Sequence, residues 1–408
     1  MRRAIGALVL FVSASGLALA CSSDPDPTTS GDGGGPDAPP VQPCASLPGA
    51  VVENGGALSV GRYAPAAAVL SPGKVLVAGG YDFLLGFSTS SEVAEPMRGL
   101  LAPSGAMKVA RNFAASALLG NGTVLVAGGF VGNAGSVAVA EIYDAKAGTF
   151  ERTPGNMTEG REAHSATALP DGKVLIVGGL QASGFKFTAT AETFDPATGN
   201  FTKTPTAMST PRAFHVAGFD ADKKVVFAAG GASGPSAETD TIELYDVAKG
   251  SFSLAPGKLQ HTTKALAGAR LPDGRWLLAG GANEIDKTLA DAQLFDPKTG
   301  HVTTAAPMAT RRIAHTLTTL ADGRVLAIGG FSDSSTPSGS TNLLEVYDPK
   351  SDTWEQLTVG LAQPRHDHVA VLLPDCRVAV LGGQQVRNGG APTAPVDVEL
   401  ITVPFVKK

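Results

Sequence analysis

Four times in this 408-residue chain an arginine stands three residues before a histidine: Arg161 with His164, Arg212 with His215, Arg312 with His315, and Arg365 with His368. A guanidinium is a permanent cation with a planar fork of donors, and an imidazole titrates near neutrality or ligates metals. Gathered on one surface, these pairs would make a basic, imidazole-lined mouth suited to acidic sugars or to a metal ion. Arg62 and Arg111 keep the arginine without the histidine, and "HTTKAL" at 261 has neither. A second reading competes. Each arginine can instead pair inside the frame with a glutamate that recurs about thirty residues later: Glu141, Glu192, Glu243 and Glu345. A residue repeated unit after unit serves the frame more often than a site, so the second reading is favoured.

The elements that position these residues repeat as well. Gly-Gly pairs fall at 79–80, 128–129, 178–179, 230–231, 280–281, 329–330 and 382–383, spaced by 49 to 53 residues. A fixed period near fifty marks a repeat architecture. Within one period "HSATAL" at 164 and "KVLIVGG" at 173 read as strands a and b, joined by an Asp-Gly turn, the strongest short-range hairpin signal. "AETFDP" at 191 reads as strand c. A bulky residue nine places after its Glu or Gln marks strand d: Phe150, Phe201, Phe252, Val302 and Trp354. Four antiparallel strands per fifty residues make one propeller blade. The Gly-Gly after strand b, the Tyr-Asp of strand c and the bulky residue of strand d together resemble kelch repeats over residues 45 to 408. The expected fold is therefore all-β, a seven-bladed β-propeller of four-stranded kelch blades. The seventh repeat stops after "VDVELITV" at 396, whereas "AVVENGGALSVGR" at 50 has a strand d with no a, b or c before it. Val51, Leu58 and Arg62 keep the spacing of Phe150, Met157 and Arg161, so the N-terminal strand should complete the last blade and leave no open edge.

In such a ring the b–c and d–a loops share one face, and there the copies differ. Variable loops on a rigid frame are where binding usually resides. The residue after each Gly-Gly should line the channel mouth: Tyr81, Phe130, Leu180, Ala232, Ala282, Phe331 and Gln384. Further candidates are residues the repeat does not require: Asp82, Lys186, Asn283, Glu284, Arg311, His366, Gln385 and Arg387. Some kelch propellers are enzymes. Galactose oxidase and its relatives hold copper with two tyrosines and two histidines, one tyrosine being crosslinked to cysteine. Here Tyr143, Tyr245 and Tyr347 occupy the strand c slot, leaving Tyr63 and Tyr81. The resemblance therefore implies neither that copper site nor any other cofactor. Sialic acid epimerases are also kelch propellers, but no acid–base pair singles out their activity, and no nucleophile elbow, phosphate loop or zinc spacing occurs.

Composition bounds the rest. With 50 glycines, 28 prolines and 17% charged residues the chain suits many short strands, and a net charge of −5 offers no basic footprint for nucleic acid. "MRR", the apolar run from Ala4 to Ala20 and "LALAC" resemble a bacterial lipoprotein signal (1–20), with Cys21 as the lipidated residue. Ser22 and Ser23 favour an outer-membrane address by analogy. Residues 21–44 have almost nothing to bury and read as a flexible tether, with ends roughly 25–30 Å apart as a coil. Cys376 stands in the a–b turn of blade seven where other blades carry glycine, and Cys44 lies just before the closing strand. An oxidising compartment permits a disulfide between them. The expected function is a monomeric, envelope-tethered binding module for a glycan or protein partner through the b–c/d–a face. The alternatives are a non-redox sugar-modifying enzyme of the epimerase type and a purely architectural envelope protein.

Overall fold

The computed structural model describes residues 49–404, apart from 184, 333–338 and 387–390. The expected signal and tether, Cys21, Cys44 and Arg387 lie outside the described residues. Seven four-stranded antiparallel sheets follow one another, each ordered a–b–c–d. Blade 3 is representative: Ser165–Ala168, Val174–Val177, Ala191–Asp195 and Asn200–Lys203. Strand b is apolar without alternation, as in "VLIV", because neighbouring blades cover both of its faces, and all four residues are buried. The aromatic of strand c stands directly opposite the bulky residue of strand d. Tyr143 meets Phe150, Phe194 meets Phe201, Tyr245 meets Phe252 and Tyr347 meets Trp354, with ring centroids 4.8 to 5.1 Å apart. Cross-strand aromatic pairs of this kind stabilise a sheet by several tenths of a kcal/mol each.

The ring closes as the sequence predicts. Val51–Ala57 pairs antiparallel with Asp397–Thr402, Val51 opposite Thr402 and Asn54 opposite Glu399, so blade 7 takes its strands a to c from the C-terminal end and strand d from the N-terminal end. The a–b turn of that blade places Cys376 at φ 67°, where Gly122 and Gly172 sit at φ 84° and 83°. Its N–H donates to Leu373 O at 2.9 Å, as that of Gly122 does to Leu119 O.

Strand a lies innermost, and the junctions between blades are built from the repeated residues. The second glycine of each Gly-Gly donates its N–H to the carbonyl of the next blade's arginine: Gly80 to Arg111, Gly129 to Arg161, Gly179 to Arg212, and finally Gly383 back to Arg62. Blade 5 does the same with Thr263 in the arginine's place. In blade 2 the first glycine lies against Met157 and His164 of the next blade. A Cβ on Gly128 would stand 2.6 Å from His164 Cε1 and 3.2 Å from Met157 Cε, which requires glycine there. One step further inward, two residues after each arginine, Ala64, Phe113, Ala163, Phe214, Ala265, Ala314 and Asp367 all adopt left-handed backbone, φ 49° to 58°. At six junctions the N–H of one donates to the carbonyl of the one before, from Phe113 to Ala64 round to Asp367 to Ala314. A non-glycine residue in this region costs roughly 1 kcal/mol, and these inter-blade bonds offset that cost.

Candidate functional site

The arginines are not at the surface. Arg62, Arg111, Arg161, Arg212, Arg312 and Arg365 are all 0–1% exposed. Arg161 shows the pattern: Nη2 meets Glu192 Oε1 at 2.9 Å, and Nη1 donates to the carbonyls of Gly178 and Thr190. The other pairs are Arg62–Glu92, Arg111–Glu141, Arg212–Glu243, Arg312–Glu345 and Arg365–Glu399. Each glutamate also receives N–H groups from the segment entering its blade, as Glu345 does from Ala309 and Thr310. Blade 5 replaces the ion pair with neutral Thr263 and Gln293, and Gln293 Oε1 still accepts the N–H of Gln260. His164, His215, His315 and His368 are 1–8% exposed between blades, and burial drives each imidazole down, His215 to about 3. They are therefore neutral near pH 7. The slot residues named as ligand candidates therefore do not line a basic mouth: they are enclosed in the frame, as the favoured reading has it, because a desolvated guanidinium needs a paired carboxylate.

The residue between the arginine and the left-handed position lies under the mouth loops, and six of the seven are buried. In every blade it forms a bridge with the residue after Gly-Gly: Tyr63 with Tyr81, Asn112 with Phe130, Glu162 with Leu180, Ala213 with Ala232, Lys264 with Ala282, Ile313 with Phe331, and His366 with Gln384. Tyr81, Phe130, Phe331 and Gln384 are half-buried there, whereas Leu180, Ala232 and Ala282 are buried beneath the loops. On the side of blades 1 and 2 the rings form one edge-contacting network. Phe83 touches Tyr63 and Tyr81, Tyr63 touches Phe113 at 5.3 Å, Tyr81 touches Phe87 at 4.8 Å, and Phe87 touches Phe130. Phe113 continues to Phe214, two blades on, at 6.4 Å.

Next to this network lie two buried polar side chains with unanswered atoms. Asn112 is 4% and Glu162 3% exposed, and neither Asn112 Oδ1 nor Glu162 Oε2 has a hydrogen-bond partner. Desolvation pushes the Glu162 carboxyl up to about 8, so it is protonated at pH 7. The single cation among these seven bridge positions is Lys264, whose Nζ lies 2.8 Å from Glu238 Oε1 and 3.6 Å from Glu284 Oε1. In blade 7, which adjoins blade 1, His366 Nδ1 bonds Ser340 Oγ at 2.8 Å, and its ring meets Phe331 edge-on. Burial holds His366 down to about 3, so it too is neutral.

Several residues singled out for lying outside the repeat build the loops instead. Asp82 Oδ1 accepts the N–H groups of Leu84 and Leu85, and Asn283 Oδ1 those of Ile285 and Asp286, both shaping hairpin tips. Arg311 is exposed on the rim and donates to Thr288 O. Lys186 and Glu284 are also exposed, while Gln385 is 5% exposed with its backbone paired to Thr393. Asn112 and Glu162 were missed because nothing local distinguishes them. The signal available was positional: the residue after the slot is different in all seven copies, Tyr, Asn, Glu, Ala, Lys, Ile and His, although the slot itself recurs. A cleft of about 350 Å³ on the opposite face, between blades 2 and 3, is a weaker site, since its buried Thr153 is already bonded to the carbonyls of Ala140 and Gly155.

A family model described as "Kelch motif" matches residues 314–358, most of blade 6. No curated protein matches this chain. Among solved structures, a fungal alcohol oxidase of the AA5 family in complex with copper is 18% identical, with a TM-score of 0.67, over 86% of this chain and 76% of that one. YjhT is 14% identical, with a TM-score of 0.57, over 74% of this chain and 99% of that one. At these identities the likeness is one of fold. The copper of the oxidase does not fit the residues here. Among the described residues no three His, Cys, Asp or Glu side chains converge, and the four slot histidines sit in separate junctions. The chain is an all-β, seven-bladed β-propeller that carries a kelch motif in its sixth blade.

Proposed function

We propose that the chain is a binding module that takes its ligand at the channel mouth on the b–c/d–a face, held at the cell envelope by lipidated Cys21 and the 21–44 tether. One observation carries the reading: Asn112 Oδ1 and Glu162 Oε2 are buried beside an aromatic network without partners. Leaving a buried polar group unanswered costs about 1–3 kcal/mol. The repeat does not demand it, because blades 4 and 6 place Ala213 and Ile313 at the same bridge position. A protein partner is the second reading. It rests on the hairpin tips, where Leu84, Leu85, Phe185 and Ile285 are 95, 74, 51 and 86% exposed.

The test is a thermal-shift screen of the full chain against neutral oligosaccharides, acidic sugars, proline-rich and apolar peptides, and divalent cations. A ligand at a hundred times its dissociation constant adds about 2.7 kcal/mol to stability. A shift that is lost in Tyr81→Ala, with the variant's own Tm kept, supports the mouth. No shift with any class sinks the binding reading and leaves a scaffold.

A further inference from the structure

We propose that three hairpin tips of the b–c face, carrying Leu84 and Leu85, Phe185, and Ile285, dip into the surface of a lipid bilayer of low net charge. This contact goes beyond the mouth and needs no ligand there; for the presence of a bilayer it rests on the envelope reading above.

The tips are built alike. In blade 1 Tyr81–Asp82 pairs with Gly86–Phe87, and in blade 5 Ala282–Asn283 pairs with Lys287–Thr288, each short ladder closing a three-residue tip. Leu84 and Ile285 hold the same place, the centre of the tip. Blade 3 pairs Leu180–Gln181 with Lys186–Phe187 and leaves Phe185 exposed just before that second strand. Leu84, Ile285 and Leu85 are the three most exposed large apolar side chains among the described residues. Scattered apolar side chains are ordinary on a surface, but three blades presenting them at loop tips of one face are not scattered.

Two features select lipid over protein. First, the backbone donors of the tips are answered from within. Asp82 Oδ1 takes the N–H groups of Leu84 and Leu85, Asn283 Oδ1 takes those of Ile285 and Asp286, and Phe185 N–H donates to Ala182 O. A loop that leaves water must carry its donors already paired, because acyl chains offer no acceptor. Second, the apolar groups stand apart. Blades 2 and 4, which separate them, end in small or polar residues at Gly132–Ala134 and at 234–237. A protein interface gathers its anchors in one desolvated patch, whereas three points spaced around a ring share only a plane, the form of a bilayer surface.

Charge sets the lipid class. Lys186 and Lys287 flank the tips together with Asp82, Glu284 and Asp286, and Glu284 lies near both Lys264 and Lys287. With both signs present and nearly balanced, zwitterionic headgroups fit better than strongly anionic ones. The N-terminal segment permits the contact. Val51 starts the closing strand on the opposite face, and the 30 residues from Cys21 to Val51 can extend to roughly 100 Å. An anchor at Cys21 therefore leaves either face free to meet the lipid, and the tips decide which one does.

The experiment uses the full chain on phosphatidylcholine vesicles, plain or brominated along the acyl chains, with flotation to separate bound from free protein. Tryptophan replaces Leu84, Ile285 or, in the c–d turn of blade 4 on the opposite face, Lys249; the wild type supplies the background of Trp276 and Trp354. Insertion by about 5–10 Å should let the brominated lipid quench the added emission of Leu84→Trp and Ile285→Trp and leave that of Lys249→Trp unchanged. In Phe185→Trp the quenching should fall severalfold once Leu84→Asp and Ile285→Asp are added, with the parent's Tm kept. Equal emission at 84 and 285 in plain and brominated vesicles, from protein that floats with them, would overturn the insertion and leave the tips to a protein partner. Quenching at 249 in place of 84 and 285 would place the other face on the lipid and overturn it as well. Protein that does not float with the vesicles would sink the envelope reading together with the insertion.

Discussion

Replacing Glu162 by glutamine should make the propeller less sensitive to alkali. The wild-type carboxyl is pushed from 4.5 up to about 8 by burial alone, with no partner for Oε2. A carboxyl whose folded pKa is raised contributes its full share of stability below the unfolded value and loses it as pH rises toward the folded one. Between pH 5 and pH 9 this one group should therefore remove about 4 kcal/mol from wild-type stability, at 1.36 kcal/mol per pH unit of differential protonation. For a ring of this size that corresponds to roughly 5 °C in Tm. Glutamine matches the shape and the polarity without titrating, so the slope disappears in the variant. Melting curves of both proteins are recorded from pH 5 to pH 9 and the variant is subtracted from the wild type, which cancels all groups the two share. The expected difference is small at pH 5 and grows through pH 8 in favour of the variant. A difference that stays flat across the range would refute the reasoning: Glu162 would then be solvated or paired, and its role at the mouth would lose its physical basis.

Two further outcomes follow from the frame. Arg161→Thr should cost about 3–5 kcal/mol by stranding buried Glu192, and Arg161→Thr/Glu192→Gln, copying the Thr263–Gln293 solution of blade 5, should recover a large part of the loss in a double-mutant melting cycle. Equal loss in single and double variants would show that the arginine acts through its carbonyl bonds and not through the ion pair. We also propose that Cys376 is bonded to Cys44. Its left-handed backbone favours glycine by about 1 kcal/mol, so Cys376→Gly should lower Tm in the oxidised protein and no longer do so after reduction; a raised Tm under oxidising conditions would remove the disulfide.

Much of the architecture was legible because its causes are local and repeated. The Gly-Gly pair reports the same short-range geometry seven times, the paired aromatics of strands c and d four times and the Asp-Gly turn three times. Arg62 following Val51 and Leu58 at the usual spacing announced the closing strand. The favoured reading of the arginines, as partners of the strand c glutamates, also came from repetition, and the structure extends it to Glu92 and Glu399. The mouth was harder. His366 was noticed because it interrupts a pattern, but Asp82 and Asn283 attracted attention for polarity that serves their own hairpins. Asn112 and Glu162 passed as ordinary polar residues next to an arginine.

The difference has one physical reason. Strand periodicity, turn chemistry and cross-strand pairing involve neighbours a few residues or one hairpin away, so residue types alone determine the blade, its number and the closure of the ring. Burial at the mouth is set by residues roughly fifty positions apart, brought together only when seven blades share a centre. The left-handed residues Phe113 and Phe214 meet above Ala163, and the aromatic loop of blade 1 leans on blade 2. Enclosure of that kind turns Glu162 from a surface carboxylate into a protonated, unanswered group, and it is decided by the tertiary structure alone.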